Sequence, residues 1–329
     1  MVGWYCESFR FIWARQSISQ LPQARYKYLL ALCTFNILPN FYIDYKLKII
    51  WPSAISYSPR HPSSAMDSPT CMQLLQVALG LPFTGDFSTE TRIDPLDVVL
   101  VSIDFENGRW IKSCAVTGAL GDKQCQAGIS IFDTKTLSSP SALQEGTLKT
   151  FNIGVGKHSP SSKGRFNHRF LFGEMRFLKL GDLSDFMDKF IDRTRNIILV
   201  GHNPHGDLNV LQALGFDLKT SIIGVLDTEM IANIVLGPSV VRGTRRLRDV
   251  LAQLGCHFEG FHSAGNDANF TLRALLLLAA EHYAGLENLD ACTQQRLKRI
   301  KSIGHSPVPC PSQASRRQDE PIETLNSFT

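Results

Sequence analysis

The chain has 329 residues, of which 43% are apolar, and a formal net charge of +4 at pH 7. This length and apolar fraction are ordinary for a globular protein with one large domain or two small ones. The mild positive charge is compatible with a polyanionic partner, but it is well short of the charge of a histone-like protein.

The eight cysteines include no C-x-x-C pair, and no secretory signal with a charged start and an apolar centre opens the chain. We therefore expect reduced thiols in an intracellular protein of the cytoplasm, the nucleus or both. The uncharged run over residues 28–43 contains Asn36, Pro39 and Asn40. It is also shorter than the about 20 residues that a membrane helix needs, so no membrane span is predicted.

The first 65 residues mix aromatic and basic side chains without a helix or strand period and end in a Pro/Ser-rich stretch. We leave residues 1–65 unassigned, as either a poorly ordered leader that the folded protein does not need or an extension of the gene model. Residues 66–96 begin with an amphipathic run, which predicts a helical lead-in.

Residues 97–283 have the pattern of one α/β domain. The β-branched run over 98–103 predicts a strand that ends in Asp104 and Glu106, whose side chains share one face. Strands over 126–133 and 148–153 complete an expected antiparallel meander without a helix in between. Later segments alternate helices with strands over 197–200 and 222–226. We expect residues 284–329 to be an extension that is disordered after about residue 305.

Acidic residues from separate elements are predicted to converge on one side of this domain. Four carboxylates at one place repel each other unless cations neutralise them, and all-oxygen ligand sets suit Mg²⁺ or Mn²⁺. A nearby imidazole can accept a proton from water near neutral pH. The candidate metal ligands are Asp104, Glu106, Asp207 and Asp267, and the candidate general base is His262.

Three motifs carry a resemblance to a known family: D-F-E at 104–106, G-H-N-P-H-G-D-L at 201–208 and H-S-A-G-N-D-A at 262–268. In this order, and with five residues from histidine to aspartate, the chain resembles the DEDDh 3′-to-5′ exonucleases of the ribonuclease H-like superfamily. Within it, the chain is most similar to fungal exonuclease-like proteins linked with mRNA export.

The resemblance implies a five-stranded mixed sheet flanked by helices and two Mg²⁺ (or Mn²⁺) ions held by Asp104, Glu106, Asp207 and Asp267. It also implies His262 as general base and the 3′ end of a single-stranded nucleic acid, RNA favoured over DNA, as substrate. The chain departs from the family in the long gap between residues 106 and 126 and in a basic loop at 154–169.

Each motif alone has a simpler interpretation, since a D-x-E can be a solvated strand end and an acid in a first helical turn is favoured by the helix dipole. The joint occurrence favours the enzyme. The alternatives are a non-catalytic ribonuclease H-like module that binds nucleic acid or protein, and a phosphodiesterase for small molecules. His202 and His205 are interpreted as structural rather than as zinc ligands, and Asp227 as a helix N-cap.

Two groups of basic residues are candidates for phosphate binding. An arginine group before and within a short helix and the basic loop are candidates, while a solvated helix face with Arg245 paired to Asp249 is the competing interpretation. The candidate nucleic-acid contacts are Arg242, Arg245, Arg246, Lys163 and Arg165. Whether the protein has protein partners stays open at this point.

Overall fold

The computed structural model describes residues 68–83, 97–117, 124–138, 147–156, 170–238 and 244–309. All of them belong to one compact unit over residues 59–329. The strands are β1 Val98–Glu106, β2 Gln124–Asp133, β3 Lys149–Gly156, β4 Met175–Leu178, β5 Asn196–Gly201 and β6 Ile222–Asp227. The α-helices are α1 Ser68–Ala78, α2 Gly108–Thr117, α3 Leu183–Phe190, α4 His205–Ala213, α5 Thr228–Val235, α6 Leu247–Gln253, α7 Ala264–His282 and α8 Ala291–Gly304.

The strands form one mixed sheet in the order β4-β3-β2-β1-β5-β6. Strand β2 is antiparallel to β1 and β3, and the other neighbouring pairs are parallel. The predicted mixed α/β sheet flanked by helices is confirmed and is consistent with a ribonuclease H-like fold. It has six strands rather than five, because β4 was missed: this edge strand has four residues, only one of them buried, and so shows no clear period.

Helix α2 was also missed, and the long gap after residue 106 is where it lies. The expected meander without a helix is therefore wrong, although β1, β2 and β3 are antiparallel neighbours as predicted. The buried side chains of α2 among its described ones are Ile111 and Cys114, three residues apart. One such pair is too short an apolar stripe to predict a helix.

Side chains of β1 alternate between two hydrophobic clusters on opposite faces of the sheet. Val98 and Leu100 belong to the cluster beneath α7, whereas Val99, Val101 and Ile103 belong to the cluster beneath α2, α3 and α4. Because both faces are covered and the strand has neighbours on each side, its run of apolar residues is continuous rather than alternating.

Helix α7 is buried along its length, from Ala264 to Ala280. The sheet covers one side of it, and α1 and α8 contribute Leu75, Ile300 and Ile303 to the same cluster. Gly304 of α8 lies so close that a Cβ there would be 2.6 Å from Leu277 Cγ. The helical lead-in and the segment after residue 283 therefore share the core of residues 97–283.

Two further predictions concern the thiols and the membrane. Five cysteines among the described residues form no disulfide, and four of these are buried. No helix in the described ranges is both long and apolar enough to cross a bilayer. The predicted leader over 1–65 and nearly all of the predicted disordered tail lie outside the described residues.

Arg195, just before β5, joins the ends of three strands. Its guanidinium donates to both carboxylate oxygens of Asp133 at 2.6 and 2.9 Å and to Asp97 at 2.9 Å. Partial burial raises the pKa of Asp133, but the hydrogen bonds from Arg195 and from the backbone N–H of Lys135, together with the charges of both residues, outweigh it. They hold the pKa of this carboxyl below its usual range. The paired form thus stabilises the fold only while Asp133 is ionised.

We predict that Arg195→Met lowers the free energy of unfolding at pH 7 by about 1 kcal/mol through loss of the Asp133 pair. A lowered folded-state pKa contributes stability above the unfolded pKa and loses it as the pH falls. Chemical denaturation should therefore show a difference from wild type that shrinks below about pH 4. Arg246→Met, which removes one exposed pair with Asp249, is the control; a difference that is independent of pH would contradict the prediction.

Candidate active site

One corner of the sheet, beneath the start of α7, carries small and polar residues in place of a hydrophobic surface. Residues paired across antiparallel strands point to the same face. Three cross-strand rows result, and together they form what we call the polar face: Ser102–Ser130–Thr150, Asp104–Gly128–Asn152 and Glu106–Gln126–Gly154. The predicted acids of β1 thus lie at the end of this face, and Phe105 between them packs in the opposite cluster.

The second motif reaches the same place through a tight turn between β5 and α4. Gly201 is required there, because a Cβ would lie 2.5 Å from Pro204 Cβ. Asp207, in the first turn of α4, accepts a hydrogen bond from the backbone N–H of Phe105 through Oδ1 at 3.1 Å. That bond fixes Asp207 directly beside the backbone that joins Asp104 to Glu106.

Helix α7 approaches the polar face so closely that two glycines are needed. A Cβ at Gly128 would lie 1.9 Å from the carbonyl oxygen of Ala264, and a Cβ at Gly265 would lie 2.7 Å from Asn152 Cβ. Both collisions involve positions that a side-chain rotation cannot relieve. The two glycines therefore determine how near Asp267, one turn into α7, comes to β1.

The third motif places an imidazole next to two carboxylates. Ligand atoms of Glu106, His262 and Asp267 all lie within 4.8 Å of one another. His262 Nδ1 is 3.5 Å from Glu106 Oε1, and its side chain is 77% exposed. The backbone N–H of His262 donates to Asp267 Oδ2 at 3.1 Å, and φ of His262 is +65°, a left-handed conformation uncommon for histidine.

Burial and neighbouring charges raise the pKa of three carboxyl groups of this site above their usual values. Burial raises the pKa of Asp104 well above its usual value, and the charges of Asp207, Asp267 and Glu106 add to the effect. Burial also raises the pKa of Asp207 to about 7, against the opposing hydrogen bond from Phe105. The pKa of Asp267 rises to about 7 through burial and the neighbouring charge of Glu106.

The donor set fits a divalent cation. Asp104 Oδ2 and Asp267 Oδ1 are enclosed and have no hydrogen-bond partner, while the second oxygen of Asp267 is held by His262. Enclosed carboxylate oxygens without donors are unfavourable unless a cation accepts them as ligands. All five predicted residues thus come together, and their geometry can hold metal with an imidazole at the edge.

His202 and Asp227, two of the residues interpreted as structural, have protein partners. The ring nitrogens of His202 contact Thr228 Oγ1 at 2.9 Å and the carbonyl oxygen of Arg245 at 2.6 Å. The group formed by Glu106, His262 and Asp267 is the one three-residue metal-ligand set found among the described residues, so no zinc set forms around His202 and His205. Asp227 caps α5 by accepting from Glu229 N, which confirms its interpretation as an N-cap.

The candidate phosphate contacts differ in their surroundings. Arg245 is buried and donates to Gln253 Oε1 and the carbonyl oxygen of Gly237, which favours a structural role. The competing interpretation paired Asp249 with Arg245. In the structure, Asp249 pairs with Arg246 instead. Arg246 is exposed and stays a candidate. Arg242, Lys163 and Arg165 lie outside the described residues.

A family model described as DEDDh_C, DNA polymerase III subunit epsilon-like, C-terminal domain, matches residues 122–278. This match supports the DEDDh exonuclease family. It indicates a 3′-to-5′ exonuclease, and exonucleases of the DEDDh type generally use divalent metals. The matched segment includes Asp207, His262 and Asp267, whereas Asp104 and Glu106 precede it and are brought to the same corner of the sheet by β1. No curated protein matches the chain.

The sequence reasoning missed the residues that hold the site together, namely Gln126, Gly128 and Asn152. A signal was present, because Gln126, Gly128 and Ser130 alternate with buried apolar residues along β2. That alternation predicts one polar or small face on a strand that is buried throughout. The sequence does not show that this face of β2 lies beside Asp104 and Glu106, because the register between β1 and β2 cannot be predicted from either strand alone.

We predict that Asp267→Asn stabilises the metal-free protein at pH 8. A folded-state pKa raised to about 7 means that the stability given by the neutral carboxyl is present below the unfolded pKa, near 4, and is lost as the pH rises through 7. In EDTA the variant should melt at a higher temperature than wild type at pH 8, with the difference vanishing toward pH 4.

Addition of Mn²⁺ should reverse the order, because binding to the native state stabilises wild type more than the variant. Asp249→Asn, an exposed acid outside the cluster, is the control and should show neither effect. Equal melting temperatures of wild type and Asp267→Asn at pH 8 in EDTA would contradict the prediction.

Proposed function

We propose that this protein is a metal-dependent exonuclease that hydrolyses phosphodiester bonds at the 3′ end of single-stranded nucleic acid, with RNA favoured over DNA. One observation carries the proposal: an acidic cluster with two enclosed, partnerless carboxylate oxygens lies directly beside an exposed imidazole. The resemblance to fungal proteins linked with mRNA export supports RNA as the preferred substrate.

The proposed cofactors are two Mg²⁺ or Mn²⁺ ions, held by the carboxylates of Asp104, Glu106, Asp207 and Asp267. When bound, such ions neutralise the acids and can hold the attacking water and the leaving oxygen of a phosphodiester. The protein contributes the fixed geometry, because Phe105 N holds one oxygen of Asp207 and His262 N holds one oxygen of Asp267. Asp104 Oδ2 and Asp267 Oδ1, which have no hydrogen-bond partner, are proposed to act as ligands.

His262 is proposed as the general base. Its Nδ1 faces Glu106 Oε1, which leaves Nε2 as the ring nitrogen that can accept the proton of the attacking water. Glu106 is proposed to hold the ring in this orientation. The high exposure of the side chain leaves room for a nucleic-acid end to approach.

The acidic cluster also weighs against a protein that binds nucleic acid without cleaving it. Clustered negative charge repels phosphates, so a pure binder would gain nothing from these four carboxylates. A hydrolase needs them to hold cations. Arg246, exposed at the start of α6, is proposed as a phosphate contact outside the cluster.

We predict that Asp104→Asn abolishes Mg²⁺- or Mn²⁺-dependent shortening, and that His262→Ala slows kcat by about 100- to 10,000-fold while metal binding persists. The substrates are 5′-labelled single-stranded RNA and DNA, each with a free or a phosphorylated 3′ end. Stepwise loss of nucleoside monophosphates from the free 3′ end is expected, faster on RNA.

Asp249→Asn serves as the control for removal of an acid outside the site and should keep wild-type activity. Shortening that survives Asp104→Asn would contradict the assignment of the site. Equal rates on RNA and DNA would contradict the proposed preference, and failure of Mn²⁺ to bind in calorimetry would favour a non-catalytic binding module.

A further inference from the structure

The N-terminus of α7 is capped by the sheet rather than by its own N-cap residue. The first backbone N–H groups of a helix have no partner within the helix and need acceptors. Ser263 holds the N-cap position, but its side chain makes no capping hydrogen bond to the helix. A buried helix start without local capping must find its acceptors elsewhere in the fold.

Two amide side chains of the polar face supply those acceptors. Gln126 Oε1, from β2, accepts from Ala264 N at 3.3 Å, and Asn152 Oδ1, from β3, accepts from Gly265 N at 3.2 Å. Both side chains are buried, with relative exposures of 7% for Gln126 and 0% for Asn152.

The amides are also joined to each other, which fixes their orientation. Asn152 Nδ2 donates to Gln126 Oε1 at 3.3 Å and to Ser263 Oγ at 3.1 Å. With both hydrogens of Nδ2 used in this way, Oδ1 of Asn152 can only point toward the helix. Buried polar groups that are fully satisfied allow one arrangement of the parts they join.

The segment they hold is the one that carries the acid and the imidazole of the candidate site. Asp267 is the fourth residue of α7, and its backbone N–H bonds to the carbonyl oxygen of Ser263. His262 directly precedes Ser263 and is tied to Asp267 Oδ2. Gln126 in turn pairs with Glu106 across the strands. Any displacement of the cap therefore moves His262 and Asp267 relative to Glu106.

We propose that Gln126 and Asn152 are positioning residues of the active site, which act by capping α7 from the sheet and so set the distance from His262 and Asp267 to the acids of β1. The part that concerns catalysis rests on the proposed function. The part that concerns the geometry of α7 does not, and it has its own measurements.

The test compares Gln126→Leu and Asn152→Leu with wild type by three measurements. Hydrogen–deuterium exchange over residues 262–268 should be faster in both variants, and Mn²⁺ affinity by calorimetry should fall by about tenfold or more. Exonuclease kcat should fall by a similar factor, with KM nearly unchanged. The substitutions displace His262 and Asp267, whereas the surface that binds the rest of the substrate keeps its position.

Two variants separate positioning from a general loss of stability. Thr150→Val removes a partly buried hydroxyl from the next row of the polar face, where it bonds to Ser130 and Asn269 rather than to the start of α7. It should lower the melting temperature while exchange over 262–268 and Mn²⁺ affinity stay at wild-type values. Gln126→Glu keeps an acceptor oxygen and should retain slow exchange at Ala264.

Unchanged exchange over residues 262–268 and unchanged Mn²⁺ affinity in Gln126→Leu would overturn the proposal. The proposal would also be overturned if Thr150→Val changed exchange and Mn²⁺ affinity as much as Gln126→Leu does. If Asn152→Leu fails to fold, the pair Gln126→Leu and Gln126→Glu decides. If wild type shows no nuclease activity, the proposed function fails. Faster exchange and weaker Mn²⁺ binding in the leucine variants would then still support the positioning role.

Discussion

The candidate site depends on the close contact between the start of α7 and the polar face of the sheet. Gly128 and Gly265 allow backbone to meet backbone there, at a distance where any Cβ would collide. The same contact buries the first N–H groups of the helix, which Gln126 and Asn152 satisfy. Shape and hydrogen bonding thus agree on one position for α7, and the position of Asp267 follows from it.

The rest of the core keeps α7 in that contact. Its buried length runs from Ala264 to Ala280, with the sheet on one side and α1 and α8 among the elements around it. Inside this shell, Arg273 is also buried and bonds to Asn269 and to the carbonyl oxygen of Ser306. The segment after residue 283 is therefore tied to the helix that carries the site.

The fold accepts an electrostatic penalty at this corner. Burial and mutual repulsion raise the pKa of Asp104, Asp207 and Asp267, and two carboxylate oxygens are enclosed without a donor. A site of this kind is held against its own repulsion by the packing around it. The backbone N–H of Phe105 donates to one oxygen of Asp207, and the backbone N–H of His262 donates to one oxygen of Asp267. These two bonds fix the orientation of both carboxyl groups.

The sequence alone determined the local features. The apolar run before Asp104, the turn before Asp207 and the long apolar helix after His262 each follow from a short pattern of residues, and their order indicated the DEDDh family. The strand period also predicted that the side chains of Asp104 and Glu106 share one face of the strand, because alternation is a local property of the backbone.

Only the tertiary structure decided what lies between and around these motifs. Strand β4 and helix α2 bury too few side chains to show a period, so they form through contacts with the rest of the fold. The hydrogen bond from the Arg245 side chain to Gly237 joins residues 8 positions apart in the chain, and the bond from Ala264 N to Gln126 joins residues 138 positions apart. Strand register and close packing set such contacts, and neither is encoded in any single stretch of sequence.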